Sequence, residues 1–154
     1  MIRKGKMKTA TRHAILAMLL TIGSMLVGCR TEDPVVVCGR EWNPALQIVA
    51  DTSSEFGMGE PLYIQFRYGT GFDFNSLRIT FYEGTLANKG GEIWNHEARV
   101  TDKMSSYTLQ GRTKHSEFMS ARELTRHKEP GTVVIEISTD GRGLASKQIT
   151  LVKK

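Results

Sequence analysis

Apolar and polar positions alternate with a period of two along most of the chain beyond residue 44, which is the mark of strands with one buried face. Residues 61–68 place Leu62, Ile64, Phe66 and Tyr68 opposite Tyr63, Gln65 and Arg67, and residues 76–83 place Leu77, Ile79 and Phe81 opposite Arg78, Thr80 and Tyr82. The same alternation predicts strands over 45–51 (Leu46, Ile48 and Ala50 inward), 92–100 (Trp94, His96, Ala98 and Val100 inward) and 106–111 (Tyr107 and Leu109). It closes with 132–139 (Val133, Ile135 and Ile137) and a last strand carrying Ala145, Ile149 and Leu151 on one face.

The punctuation between these runs is of the β kind. Residues 57–61 and 69–71 are rich in glycine, residues 88–91 offer positive-φ positions, and Asp140-Gly141 is a two-residue hairpin signal. One segment departs from it. Ser120-Ala121-Arg122-Glu123 matches a capping box and predicts a short helix to about His127, with Leu124, Phe118 and Met119 inward, before Pro130-Gly131 ends it. About seven short strands and one short helix predict an all-β fold, a two-sheet antiparallel sandwich over residues 45–154. The closing stretch EPGTVVIEISTDGRGLASKQITLVKK resembles the last hairpin of bacterial immunoglobulin-like domains, departing from it at Val133, where an aromatic residue often stands.

Composition changes the picture only through where the charge lies. The 154 residues carry a formal charge of +5 with a pI near 9.4, a balance that could point to nucleic acid. However, Arg3, Lys4, Lys6, Lys8 and Arg12 are five of the 21 basic residues, and no acidic residue precedes Glu32. Without residues 1–28, 16 basic residues face 16 acidic ones, and the electrostatic case for a phosphate backbone disappears. The basic stretch is followed by an apolar run over 14–28, shorter than the roughly 20 residues that span a bilayer, as in a secretory signal. Translation can start at Met1 or at Met7, since either leaves a basic region ahead of the run.

The end of that run, Leu26-Val27-Gly28-Cys29, resembles the lipobox of bacterial lipoproteins. The resemblance implies cleavage between Gly28 and Cys29, a diacylglyceryl thioether on Cys29, and acylation of the new amino group with chains such as palmitate. Residues 1–28 are then a discarded signal peptide and residues 29–44 a lipidated tether, with membrane lipid as a partner. Two or three chains, each buried methylene contributing about 0.8 kcal/mol, make a stable anchor where one is marginal. Arg30 rather than Asp after the cysteine resembles the pattern passed on to the outer membrane, and Glu32-Asp33 is similar to a short acidic surface-export signal. A Cys29–Cys38 disulfide is the alternative use of the two cysteines in an oxidising compartment; otherwise Cys38 is buried or semi-buried.

Catalytic constellations are missing from the pattern. His96-Glu97 lacks the second histidine of a zinc-protease helix, Gly69-Thr70-Gly71 lacks the rest of a phosphate cradle, and Asp73, Glu83 and Asp102 have no marked partner. His96, His115 and His127, like Met58, Met104 and Met119, are scattered, so neither a copper site nor any other metal or cofactor is expected. The expectation is a non-catalytic, lipid-anchored module of the cell envelope that binds a protein or glycan. The alternatives are an inhibitor or assembly accessory of an envelope machine, and a hydrolase whose residues no motif marks. Tyr63, Arg67, Arg78 and Tyr82, outward on consecutive strands, are the candidate binding surface, set against ordinary cross-strand pairing.

Overall fold

The computed structural model describes residues 33–153 apart from Thr70 and His115; the expected signal peptide over 1–28 and the expected lipidation site, Gly28 and Cys29, lie outside the described residues. Nine strands and one helix follow one another as β1 (Val35–Asn43), β2 (Ile48–Thr52), β3 (Glu55–Gly57), β4 (Tyr63–Arg67), β5 (Ser76–Gly84), β6 (Lys89–Arg99), β7 (Ser106–Leu109), α1 (Ala121–Thr125), β8 (Gly131–Thr139) and β9 (Arg142–Val152). They form two sheets, β2-β1-β4-β7 and β3-β9-β8-β5-β6. Consecutive strands β4 and β5 lie in opposite sheets, as do β6 and β7, and β5 sits between β8 and β6. This strand order makes the fold an all-β, immunoglobulin-like sandwich.

Each sheet can hide its apolar face only against the other, and the alternation decides which residues do so. Ile64 and Phe66 of β4, Leu77, Ile79 and Phe81 of β5, Val133, Ile135 and Ile137 of β8, and Ile149 and Leu151 of β9 are all buried in one core. Asp140 and Gly141 both have positive φ, 46° and 79°, the type I′ geometry that matches strand twist, and they join Thr139 to its partner Arg142. Ser120 caps α1 in a complete capping box with Glu123, and Arg126, in the left-handed conformation at φ 58°, ends it. The helix is therefore shorter than expected, stopping at Thr125.

The N-terminal boundary needs correction. Residues 29–44 are not a tether beyond Pro34, because β1 pairs with β2 and β4 and buries Val36 and Cys38. The strand escapes a period-two reading because Arg40 occupies an inward position. It is accommodated by Glu60 at 2.9 Å, by the Glu55 carbonyl at 2.8 Å and by the Phe56 ring at 5.1 Å. The phase expected for 45–51 is also inverted: Leu46 and Ile48 are 66% and 37% exposed, while Val49 is 3% exposed. Positive φ at Gln47 (51°) turns the chain there, so β2 begins only at Ile48. Finally, the sandwich is not wholly antiparallel, since β3 runs parallel to β9.

Two expected outcomes follow from β1. A Cβ on Gly39 would stand 2.2 Å from the Ala50 carbonyl oxygen and 2.6 Å from Val49 Cγ1. Gly39→Ala should therefore cost about 1–3 kcal/mol, read as a lower urea midpoint with an unchanged slope. Cys38 is a free, fully buried thiol, and burial pushes its pKa up to about 12, slightly opposed by Lys147. It should resist alkylation at pH 8 until the protein is unfolded. Because the folded value lies above that of the unfolded chain, this thiol's contribution is complete below about pH 8.5 and is lost as pH rises toward 12. Thermal melts should show a steeper alkaline decline than in Cys38→Ala.

Candidate functional site

The four candidate surface residues do not form one surface. Tyr63 and Arg67 belong to β4 in the four-stranded sheet, Arg78 and Tyr82 to β5 in the five-stranded one. The connection between them is a crossover: Phe72 and Phe74 are buried in it, Phe72 stacks on Phe66 at 5.9 Å, and the Phe72 and Phe74 rings lie 5.2 Å apart. A glycine-rich link that carries two phenylalanines into the core crosses it.

Arg78 and Tyr82 are engaged with their own sheet. Arg78 lies 3.9 Å from Glu92 and 4.0 Å from Glu97, and Lys89 sits 4.3 Å over the Tyr82 ring while pairing with Glu136 at 2.6 Å. Such exposed pairs contribute about 0–1 kcal/mol each and line a shallow polar groove of about 420 Å³. Arg67 is likewise taken up, donating to Gln65 Oε1 at 2.9 Å. Gln65 is buried on the outer side of its sheet, where it also donates to the Gln47 carbonyl and to Thr108.

Tyr63 is different. It lines a groove of about 390 Å³ with Trp42, Pro44, Gln110, Gly111, Arg112 and Glu117. Three chain segments build this groove. The end of β1 supplies Trp42, and Asn43 Oδ1 accepts from the amides of Ala45 and Leu46, both at 3.1 Å, to hold the turn beyond it. The start of β4 supplies Tyr63. The turn after β1 adds Pro44, and the segment between β7 and α1 supplies Gln110, Gly111, Arg112 and Glu117, braced by Thr113 N donating to the Ser116 carbonyl at 3.0 Å. Gly111 lies close against Met119, since a Cβ there would stand 2.0 Å from Met119 Sδ and the methionine, which packs on the core, would have to shift.

The side chains of Trp42, Tyr63, Gln110, Arg112 and Glu117 make no hydrogen bond or ion pair among the described residues. Three other aromatic residues with polar tips contrast with this, whereas Tyr82 makes no side-chain hydrogen bond among the described residues and carries Lys89 over its ring. Trp94 donates to the Leu124 carbonyl at 3.0 Å, stacks on Phe81 at 5.1 Å and lies under Arg126 at 4.2 Å. Tyr68 donates to Asp73, and Tyr107 is 2.9 Å from His96 Nε2 across the gap between β7 and β6. Sequence pattern missed Trp42, Gln110, Arg112 and Glu117 because Trp42 fell in the supposed tether, Gln110 at the end of the predicted strand 106–111, and the other two in a link without period.

No family model and no curated protein matches the chain. Among solved structures it is similar to an immunoglobulin-like protein from Pseudomonas aeruginosa, at 13% identity and a TM-score of 0.46, over 80% of this chain and 99% of that one.

Metal-ligating side chains are dispersed. Among the described residues no three His, Cys, Asp or Glu side chains gather as a metal would need. His96 bonds Tyr107 and His127 bonds the Glu129 carbonyl, while Met58, Met104 and Met119 pack against the core.

The contrast between the two tryptophans is measurable. Trp94→Ala should lower stability by about 2–4 kcal/mol, through lost stacking and a lost hydrogen bond, whereas Trp42→Ala and Tyr63→Ala should each change it by less than about 1 kcal/mol. Urea unfolding of the three variants tests this ordering.

Proposed function

We propose that the protein is a lipid-anchored lipoprotein of the bacterial outer membrane whose sandwich is a non-catalytic module for binding a protein or glycan in the envelope. The anchor reading is supported by Leu26-Val27-Gly28-Cys29 after a basic, then apolar, leader. The observation that carries the binding reading is the Trp42 and Tyr63 groove, where aromatic surface and unspent hydrogen-bonding groups from three segments converge. That combination of a concave site with a few polar groups on an aromatic lining is what ligand recognition uses.

The two halves of this proposal constrain each other. The fold begins at Val35, six residues after Cys29, so the lipid and the sandwich would be joined by a reach of at most about 20 Å. Trp42 is seven residues along the strand, about 23 Å from the attachment end. The groove lies near the end of β1 opposite to Val35.

Mass spectrometry of the mature protein extracted from membranes tests the anchor. The expected N-terminal peptide begins at a di- or triacylated Cys29; an unmodified cysteine, or an intact leader, would reject it. Crosslinking in intact cells followed by capture should recover an envelope protein or glycan in amounts that drop with Trp42→Ala.

A further inference from the structure

We infer that the groove between Trp42 and Tyr63 binds a neutral carbohydrate, a unit of one or two sugar rings; this rests on the binding reading above and narrows its ligand. The composition of the lining is the first reason. Apart from Pro44 and Gly111, every lining residue is aromatic or carries a hydrogen-bonding side chain. A peptide that seats aliphatic anchor side chains needs an apolar floor, and this groove has no Leu, Ile, Val or Met on its walls; a proline-rich peptide, which does dock on aromatic-lined grooves, is the competing occupant that the test below separates. Its half-buried indole and phenol rings offer flat apolar faces instead. The C–H face of a pyranose is flat, apolar and of similar width, and it packs on such rings while its hydroxyls stay at the rim.

The rim supplies the complement to those hydroxyls. Gln110 offers a carbonyl and an amide, Arg112 a planar fork of donors, and Glu117 two acceptor oxygens. Neighbouring hydroxyls on a sugar each donate and accept, so they match planar groups that present paired donors or paired acceptors. Trp42 Nε1 and the Tyr63 hydroxyl add a donor and a donor-acceptor. All five groups are free of hydrogen bonds and ion pairs among the described residues, so no internal bond is broken when a ligand takes them.

Charge decides between sugars. Arg112 and Glu117 cancel, leaving the groove without net charge, so a phosphate, a sulfated glycan or an acidic peptide gains nothing there over a neutral glycan. The volume of about 390 Å³ falls at the lower end of the ~300–1,000 Å³ of small-ligand sites, the scale of a mono- or disaccharide unit rather than a long chain.

The test uses the full-length protein purified in detergent on an array of neutral oligosaccharides built from hexose, deoxyhexose and N-acetylhexosamine units, followed by calorimetric titration with the best-bound member. The expected result is binding that falls at least tenfold in Trp42→Ala and in the double variant Arg112→Ala/Glu117→Ala, is weakened in Tyr63→Ala, and is unchanged in Tyr82→Ala on the opposite sheet. Ligand should also perturb tryptophan fluorescence in the wild type and in Trp94→Phe but not in Trp42→Phe, a readout that global unfolding does not imitate. No neutral glycan bound, or binding that Trp42→Ala leaves intact, overturns the assignment. If the array is blank while an envelope protein is captured through Trp42, the carbohydrate inference fails and the wider binding reading stands; if nothing is captured either, both fail.

Discussion

The Arg40 guanidinium is the tie on which the N-terminal third of the sandwich depends. Strands β1 and β3 are separated by a single short strand, yet they join opposite sheets, and the chain between them must cross the open side of the core. Arg40 reaches from β1 to the Glu55 carbonyl of β3, covers the buried Phe56 ring, and pairs with Glu60, whose carboxylate also accepts from the Gly57 amide. One half-buried cation thus secures both ends of a three-residue strand too short to hold itself. The same segment receives the helix, since Ala121 and Arg122 donate to the Glu60 and Met58 carbonyls and Pro61 bridges to Ser120. Without the Arg40 tie, β3, the approach to β4 and the seat of α1 lose a common support.

This tie explains which parts of the fold were legible in the sequence. Strands β4, β5, β8 and β9 were, because each has a mostly apolar face of period two, with Glu83 at the end of β5 and Lys147 within β9 as the charged exceptions; Leu77, Ile79 and Phe81, or Val133, Ile135 and Ile137, have nowhere to go but the core. The capping box and the Asp140-Gly141 turn were legible because their chemistry is local. Strand β1 was hidden because its inward positions begin Val36, Cys38 and Arg40, and the charge breaks the apolar pattern unless its partners, 15 and 20 residues away, are known. Strand β2 was misread for a different reason: positive φ at Gln47 and Asp51 reverses the chain in ways that non-glycine residues adopt only under tertiary pressure.

The binding surface failed on topology rather than on residue type. Tyr63, Arg67, Arg78 and Tyr82 are indeed outward-facing chemistry, but an alternation cannot say whether two consecutive strands form a hairpin or change sheets. Phe72 and Phe74 in the link carried that information, since a solvated hairpin loop has no reason to bury two aromatic rings. Once the strands are separated, Arg78 and Tyr82 become members of a charged network on one sheet, and Tyr63 is left free to meet Trp42 and the link after β7 on the other.

What distinguishes the groove from the rest of the surface is that the fold does not use it. Trp94, Tyr68, Tyr107, Arg40 and Gln65 all spend their polar atoms on holding elements together, and changing any of them alters the frame. The groove's side chains are carried by supports that are themselves fixed: the Asn43 turn, the strand pairing of β4, and the Gly111 contact with Met119. Rigid positioning without structural duty is the condition under which a site can be tuned to a ligand with little loss of stability, and it separates the question of what this sandwich is from the question of what it holds. Recognition still costs translational and rotational freedom and the ordering and desolvation of five side chains, while the Asn43 turn and the pairing of β4 leave that part of the backbone little to rearrange.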